Sequence, residues 1–147
     1  MRKLFTMGFR KKTAKEFFTL LERNSVSALV DIRLNNTSQL CAFTKFPDIE
    51  FFTKKILGID YIHDVNFAPT EEILSGHKKK FFNWQGYEER FFALMDARNI
   101  LEHIEKNYSR RDRICLLCSE PTPEKCHRRL VAKKFFEAFE GIEIVDF

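Results

Sequence analysis

Short apolar runs alternate along the chain with segments in which apolar residues recur at helical spacing. The run Ile114–Cys118 is unbroken and Val26–Val30 is nearly continuous, which is typical of strands that are buried on both faces. We predict five strands, at Leu4–Met7, Val26–Ile32, Ile59–His63, Arg113–Cys118 and Ile142–Val145. We predict helices capped by Thr13 and ending near Arg23, from Asp48 to Leu57 before Gly58, from about Tyr87 to Tyr108, and from Thr122-Pro123 to Gly141, with a short helix at Pro69–Leu74.

Strict alternation of strand and helix indicates a parallel sheet with helices on both faces. No linker composition interrupts the pattern, so we expect residues 1–147 to form a single α/β domain. Its architecture is predicted to be three-layered, around a mostly parallel five-stranded sheet. Ligands of such sheets bind beyond the carboxyl ends of the strands, and candidate chemistry is therefore sought at that edge.

Composition argues against a disordered protein and against a membrane-spanning one, but it does not indicate a function. The chain has 147 residues, of which 44% are hydrophobic and 31% charged, a balance too apolar for a disordered protein. No apolar run approaches the roughly 20 residues that cross a bilayer, and the apolar segment at the start is too short for a signal peptide. We therefore predict a cytoplasmic protein with no membrane partner. The 25 Lys and Arg residues exceed the 21 Asp and Glu by four, a mild excess that permits an anionic partner.

Polar side chains follow the apolar strands at the predicted carboxyl edge. We assign Asp31, Cys118 and Glu120 as candidate catalytic groups. From the same edge we assign Thr6, Gly8 and Arg33 to ligand binding. Two interpretations stay open: the charged groups pair with one another or with loop backbone, or they bind a ligand. In either case we expect Asp31, Arg33, Cys118, Glu120 and Arg128 to converge.

The predicted last helix adds two further ligand-binding candidates, His127 and Arg128. Arg128 falls in the middle of the apolar stripe of this helix and His127 at its flank, so Arg128 must meet either a carboxylate, from Glu120 or Asp31, or a ligand anion. Cys126 falls on the opposite side of the helix and is the weaker thiol candidate. Cys118 faces the helix N-terminus, which would lower its pKa.

The spacing Cys115-Leu116-Leu117-Cys118 is that of a zinc knuckle, but it lies inside a predicted strand. Residues three apart on a strand point to opposite faces, so the two thiols cannot share one metal. We predict no metal and no cofactor.

The segment from Lys78 to Trp84 interleaves three lysines with aromatic residues. This mixture suits stacking on bases and contact with phosphate. The alternative is an ordinary surface loop in which Phe81 and Trp84 pack into the core.

Four motifs together resemble one family: Thr6-Met7-Gly8-Phe9, Val30-Asp31-Ile32-Arg33, Leu117-Cys118-Ser119-Glu120 and Cys126-His127-Arg128-Arg129. In this order they are similar to the domain of unknown function family 488, a group of small, mostly prokaryotic proteins. The resemblance implies a fold and a site rather than a reaction.

Three functions remain open from the sequence. The first is binding of, or action on, a phosphate-bearing ligand, either a nucleotide or a nucleic acid. Here Arg33, Arg128 and the helix N-terminus would hold the anion, and Asp31 or Glu120 would act as base. The second is thiol chemistry at Cys118 of the rhodanese or cysteine-phosphatase kind, although the loop that follows holds prolines and no glycine. The third is a non-catalytic module that binds a protein partner.

Overall fold

The computed structural model of the chain describes residues 2–37, 41–120 and 124–147. Its strands are β1 (Lys3–Gly8), β2 (Ala28–Asp31), β3 (Asp60–His63), β4 (Arg113–Cys118) and β5 (Glu143–Asp146). Its α-helices are α1 (Ala14–Arg23), α2 (Asp48–Phe52), α3 (Glu71–Lys78), α4 (Trp84–Ala97), α5 (Ile100–Tyr108) and α6 (His127–Ala138).

The strands form one sheet in the order β3-β2-β4-β1-β5, and every neighbouring pair is parallel. The predicted α/β fold with a five-stranded parallel sheet is therefore confirmed. The register sets Gly8 opposite Cys118 and Asp31 opposite Leu117, so the ends of β1, β2 and β4 are level with one another.

Two apolar cores lie on the two faces of the sheet, which confirms the three layers. One core packs β-strand residues against α3 to α6 and includes Phe91, Ile104 and Phe135. The other packs the opposite strand residues against α1 and α2 and includes Phe17 and Ile49. Side chains that alternate along a strand therefore enter different layers.

Local sequence explains the start of α1 and the end of α2. The Thr13 hydroxyl accepts a hydrogen bond from Glu16 N at 3.1 Å, and the Glu16 carboxylate accepts one from Thr13 N at 3.4 Å, which completes a capping box. The second helix continues as a π-helical turn over Thr53–Leu57 and ends at Gly58, whose φ of 67° is left-handed.

Three predicted helices differ from the structure. The long helix expected over residues 87–108 is two helices, because Asn99 adopts a left-handed φ of 52° between them. The short helix expected to end at residue 74 continues to Lys78. The last helix begins only at His127, after a turn over residues 124–126, and its predicted start at Thr122-Pro123 lies outside the described residues.

No helix in the described part of the chain has the length and apolarity needed to span a membrane.

Candidate functional site

The strand order places a topological switch point between β2 and β4. The connection after β2 leads through α2 to β3 on one side of the sheet, whereas the connection after β4 leads through α6 toward β5 on the other side. Crevices of this kind, at the carboxyl ends of parallel strands, are the usual ligand sites of open α/β sheets.

Two cysteines meet at this crevice. Cys118 ends β4, and Cys126 is the N-cap residue of α6. Their Sγ atoms lie 2.8 Å apart, and the side chains are both free thiols. The two residues are only 1% and 4% exposed. The site is therefore a buried pair of thiols held between a strand end and a helix start.

The two thiols differ in their protonation. The hydrogen bond from Cys118 lowers the pKa of Cys126 to about 4 against the opposing effect of burial, and His127 lowers it further. Burial, followed by the interaction with Cys126, raises the pKa of Cys118 well above its usual range. These shifts favour the thiolate form at Cys126, which can accept a hydrogen bond from the Cys118 thiol.

These directions correct the expectation that Cys118 would carry the lowered pKa. The physical reason is the later start of α6. Cys126 has extended backbone angles, φ −133° and ψ 140°, so it does not lie within the helix on the face opposite Arg128. As the N-cap it sits where the helix dipole favours a negative charge.

His127 supports the thiolate from the other side. Its Nε2 lies 2.7 Å from the carbonyl oxygen of Ile32, which can only accept, so Nε2 carries a proton. Burial alone would lower the pKa of His127, but the Cys126 thiolate raises it above its ordinary value. The shifts of His127 and Cys126 thus favour the charged form of each residue beside the end of β2.

Arg128 is fully buried, as its position on the apolar stripe predicts. Its Nη1 donates to the carbonyl oxygen of Glu120 at 3.2 Å and lies 3.8 Å from Cys118 Sγ. The Glu120 side chain instead forms an exposed pair with Arg10 at 3.6 Å. The contact between Arg128 and Glu120 therefore uses the backbone carbonyl and not the carboxylate that we expected.

Gly8 allows this close packing. A Cβ at this position would lie 1.4 Å from the Glu120 carbonyl oxygen and 2.9 Å from Arg128 Nη1. Lys12 Nζ donates to the Gly8 carbonyl oxygen at 2.9 Å. Burial, and then the nearby Arg128 guanidinium, lowers the pKa of Lys12.

Asp31 and Arg33 form a separate buried pair. Arg33 Nε donates to Asp31 Oδ1 at 2.8 Å and Nη2 donates to Oδ2 at 2.7 Å. The Tyr61 hydroxyl donates to Asp31 Oδ2 at 2.5 Å, and Arg33 Nη2 also donates to the carbonyl oxygen of Thr44. Burial, and then the Asp31 carboxylate, raises the pKa of Tyr61. Both Asp31 oxygens are thus engaged within the protein.

The five residues that we expected to converge do not form one cluster. Asp31 follows Leu29 by two positions on β2, and Leu29 belongs to the core beside α1 and α2. Cys118 belongs to the core beside α3 to α6. The Asp31–Arg33 pair and the Cys118–Arg128 group therefore lie on opposite faces of the same edge.

Thr6 lies apart from both groups, since its hydroxyl donates to a carboxylate oxygen of Asp146 on β5. The predicted separation of Cys115 and Cys118 is confirmed, because their side chains enter different cores. Among the described residues, no three His, Cys, Asp or Glu side chains are grouped to hold a metal ion.

The contact between Cys118 and Cys126 is what the sequence reasoning missed. The available signal was one cysteine at a strand end and a second near the predicted start of the following helix. The aromatic cover of the site was also not predicted: Phe91 of α4 packs its ring edgewise on His127, with centroids 5.7 Å apart.

The aromatic residues of the segment from Lys78 to Trp84, between α3 and α4, differ in their burial. Trp84 packs against the core and stacks on Tyr87 at 4.8 Å, whereas Phe81 is 76% exposed beside Lys78–Lys80. The loop alternative is therefore confirmed for Trp84 and wrong for Phe81.

Fold and site define a small parallel α/β protein with a thiol pair at the switch point of its sheet. The sequence model of the family described as Domain of unknown function DUF488 matches residues 13–135. The chain belongs to this family, as the resemblance of its motifs predicts. No curated protein and no solved structure matches the chain.

Proposed function

We propose that the chain is a thiol-dependent enzyme in which the Cys126 thiolate is the nucleophile. The observation that carries this proposal is the position of Cys126 Sγ at the start of α6, 2.8 Å from Cys118 Sγ and next to His127. Reactive thiols are found at helix N-termini and beside cationic groups, whereas inert structural thiols lie in apolar surroundings. Cys115 is the second kind, since burial raises its pKa.

The reaction class is transfer of a small electrophilic group to sulfur. The thiolate attacks an electrophilic sulfur or phosphorus atom, a bond forms from Cys126 Sγ to that atom, and the leaving group departs with its electron pair. His127 stabilises the thiolate and can protonate the leaving group. Because Cys126 is almost fully buried, the reacting end of the substrate must be small.

Alkylation kinetics test this proposal. A small reagent such as iodoacetamide is reacted with the protein across pH, and the modified residues are mapped by mass spectrometry. We expect Cys126 to react at about pH 5, where an ordinary thiol is protonated. Half-buried Cys41 is the internal control. The proposal is wrong if Cys126 follows the same pH dependence as Cys41.

A second candidate function is binding of a phosphate-bearing ligand, which includes a nucleotide or a nucleic acid. Arg128 favours it, since its Nη1 lies 3.8 Å from Cys118 Sγ, and Lys12 adds a second cation at the carbonyl oxygen of Gly8, the sheet partner of Cys118. Arg33 contributes less than the sequence suggested, because Asp31 and Thr44 occupy its donors. A thiol enzyme with an anionic substrate would combine the two candidates.

The exposed Phe81 beside Lys78–Lys80 extends this second candidate to single-stranded nucleic acid, for which a ring and several cations are a suitable surface. Fluorescence anisotropy with a labelled oligonucleotide tests it. We expect binding that weakens with salt and with Phe81→Ala. Phe136→Ala is the matched control, because Phe136 is also exposed, at 58%, and lies on α6 rather than in the segment from Lys78 to Trp84. Equal effects of the two substitutions would contradict the assignment.

A further inference from the structure

We infer that Cys118 and Cys126 act together as a dithiol that exchanges two electrons with a low-molecular-weight disulfide. This inference rests on the proposed function, since it needs Cys126 as the nucleophile, and it adds the class of substrate and the role of the second cysteine. Its observation is the Sγ–Sγ distance of 2.8 Å between two free thiols. A disulfide bond is about 2.05 Å long, so the sulfurs need to approach by less than about 1 Å.

Both sulfurs are carried by well-anchored backbone. Cys118 pairs with Gly8 in the sheet, and the Phe9 N–H donates to the Cys118 carbonyl oxygen at 3.2 Å. Cys126 precedes α6, whose Arg128 side chain bonds the Glu120 carbonyl oxygen at 3.2 Å. These contacts fix the strand end and the helix start relative to one another, and they place the second thiol where it can resolve a bond formed on the first.

The other two cysteines cannot take the place of Cys118. Cys115 points into the core on the opposite face of the sheet, and Cys41 packs at the border of that same core. All four cysteines of the chain lie in the described residues. Oxidation of the folded protein should therefore join Cys118 to Cys126 and leave the other two thiols reduced.

The exchange proceeds in two balanced steps. The Cys126 thiolate attacks one sulfur of the substrate R–S–S–R, which forms a Cys126–S–S–R mixed disulfide and releases RS⁻ with the electron pair of the broken bond. Cys118 then loses its proton and attacks Cys126 Sγ, which closes the Cys118–Cys126 disulfide and releases the second RS⁻. The protein loses two electrons, and the substrate disulfide gains them as two thiols.

His127 provides the proton transfers between these steps. As an imidazolium it can protonate the first departing RS⁻, and as the neutral base it can then take the proton of Cys118. The burial of Cys118 and Cys126 restricts the size of the substrate. A disulfide held within another folded protein cannot reach the almost fully covered Cys126 Sγ. A small, flexible disulfide can.

The test uses oxidised glutathione as the probe, with intact-mass analysis and peptide mapping after residual thiols are alkylated. Wild type should lose two hydrogen atoms, retain no glutathione and contain the Cys118–Cys126 disulfide. Cys118→Ser, or Cys118→Ala if the serine variant does not fold, should stop at the first step with one glutathione on Cys126. Cys115→Ser is the matched control and should behave as wild type.

The outcomes separate the inference from the proposed function. A wild-type protein that is alkylated at Cys126 at acidic pH but keeps a stable glutathione mixed disulfide would overturn the inference and leave the proposed function standing. A wild-type protein in which Cys126 resists both alkylation and oxidised glutathione would overturn both. The wild-type measurements decide these cases even if a cysteine variant fails to fold.

Discussion

Replacing Asp31 by Asn removes the charge of one member of a buried ion pair while keeping the shape of its side chain. Asp31 is fully buried and accepts hydrogen bonds from Arg33 at 2.8 and 2.7 Å and from the Tyr61 hydroxyl at 2.5 Å. The substitution leaves the Arg33 guanidinium buried without its carboxylate. It also places an amide NH₂, which is a donor, next to N–H and O–H groups whose hydrogen bonds the carboxylate oxygens accept in wild type.

The expected loss of folding free energy is about 3–5 kcal/mol, the usual result when one partner of a buried pair is removed. For a protein of this size, 1 kcal/mol corresponds to roughly 2–4 °C in Tm, so the melting temperature should fall by about 6–20 °C. Urea unfolding followed by circular dichroism measures the free energy, and a thermal scan measures Tm.

Asp60→Asn is the matched control. Asp60 is a half-exposed carboxylate that pairs with Lys54 at 3.7 Å and Arg111 at 3.1 Å, and such surface pairs contribute about 0–1 kcal/mol. Asp31→Leu combined with Arg33→Met should recover most of the loss, because both charges are removed together. The reasoning is refuted if Asp31→Asn costs no more than Asp60→Asn.

Three further predictions follow from the thiol site and its support. Gly8→Ala should destabilise the protein by about 3 kcal/mol or more in urea unfolding, because its Cβ would lie 1.4 Å from the backbone carbonyl oxygen of Glu120; a cost below about 1 kcal/mol would contradict the close packing. Arg128→Ala should cost about 2–5 kcal/mol as a buried large-to-small change, while exposed Arg129→Ala should stay within about 0.5 kcal/mol, and equal effects would contradict the docking of α6. The difference in unfolding free energy between wild type and Cys126→Ser should grow as the pH rises from about 5 to about 6.5, by at most about 1.4 kcal/mol per pH unit.

The sign of the pH prediction follows from the thiolate. Cys126 has a pKa of about 4 in the folded protein, whereas an unfolded thiol titrates near about 8.5, so between these values the unfolded state binds one more proton and stability rises with pH. His127 has the opposite effect, because its folded pKa is raised and its contribution is lost as pH rises through that value. The two proteins are therefore compared in a His127→Gln background, which removes the imidazole titration from both, so that the window isolates Cys126. A difference that stays flat or shrinks there would contradict the thiolate.

The fold was predictable because its signals are local. Short apolar runs predicted the central strands, with β4 found at Arg113–Cys118 as predicted, and Thr13 as the cap predicted the start of α1. The division between α4 and α5 was not predictable from apolar spacing, since it depends on one left-handed residue, Asn99. Asparagine tolerates that conformation, so the residue is a weak signal in hindsight.

The sequence predicted where in the fold the candidate site lies, but not which of its side chains contact one another. The edge of the sheet and the buried Arg128 were identified correctly. Whether Asp31 and Cys118 point to the same face of the sheet depends on the register between β2 and β4. Only the tertiary pairing of the strands fixes that register. The thiol pair depends on α6 starting at His127, whereas Thr122, Pro123 and Glu124 are all favourable residues for a helix start. Capping preferences are therefore a weaker guide here than the packing of the helix.

The ionisation of Cys126 in the folded protein tests the central claim most directly, because every step proposed for the site begins from its thiolate. The far-ultraviolet absorbance of the thiolate is recorded as reduced protein is titrated from about pH 3 to about pH 9, and the titration of Cys126→Ser is subtracted. This measurement needs no reagent to reach the buried sulfur. The account predicts one thiolate per chain that forms with a midpoint near pH 4 and is missing in Cys126→Ser, while Cys115→Ser titrates as wild type. A wild-type protein with no thiolate below about pH 7, or one whose acidic thiolate persists in Cys126→Ser, would contradict it.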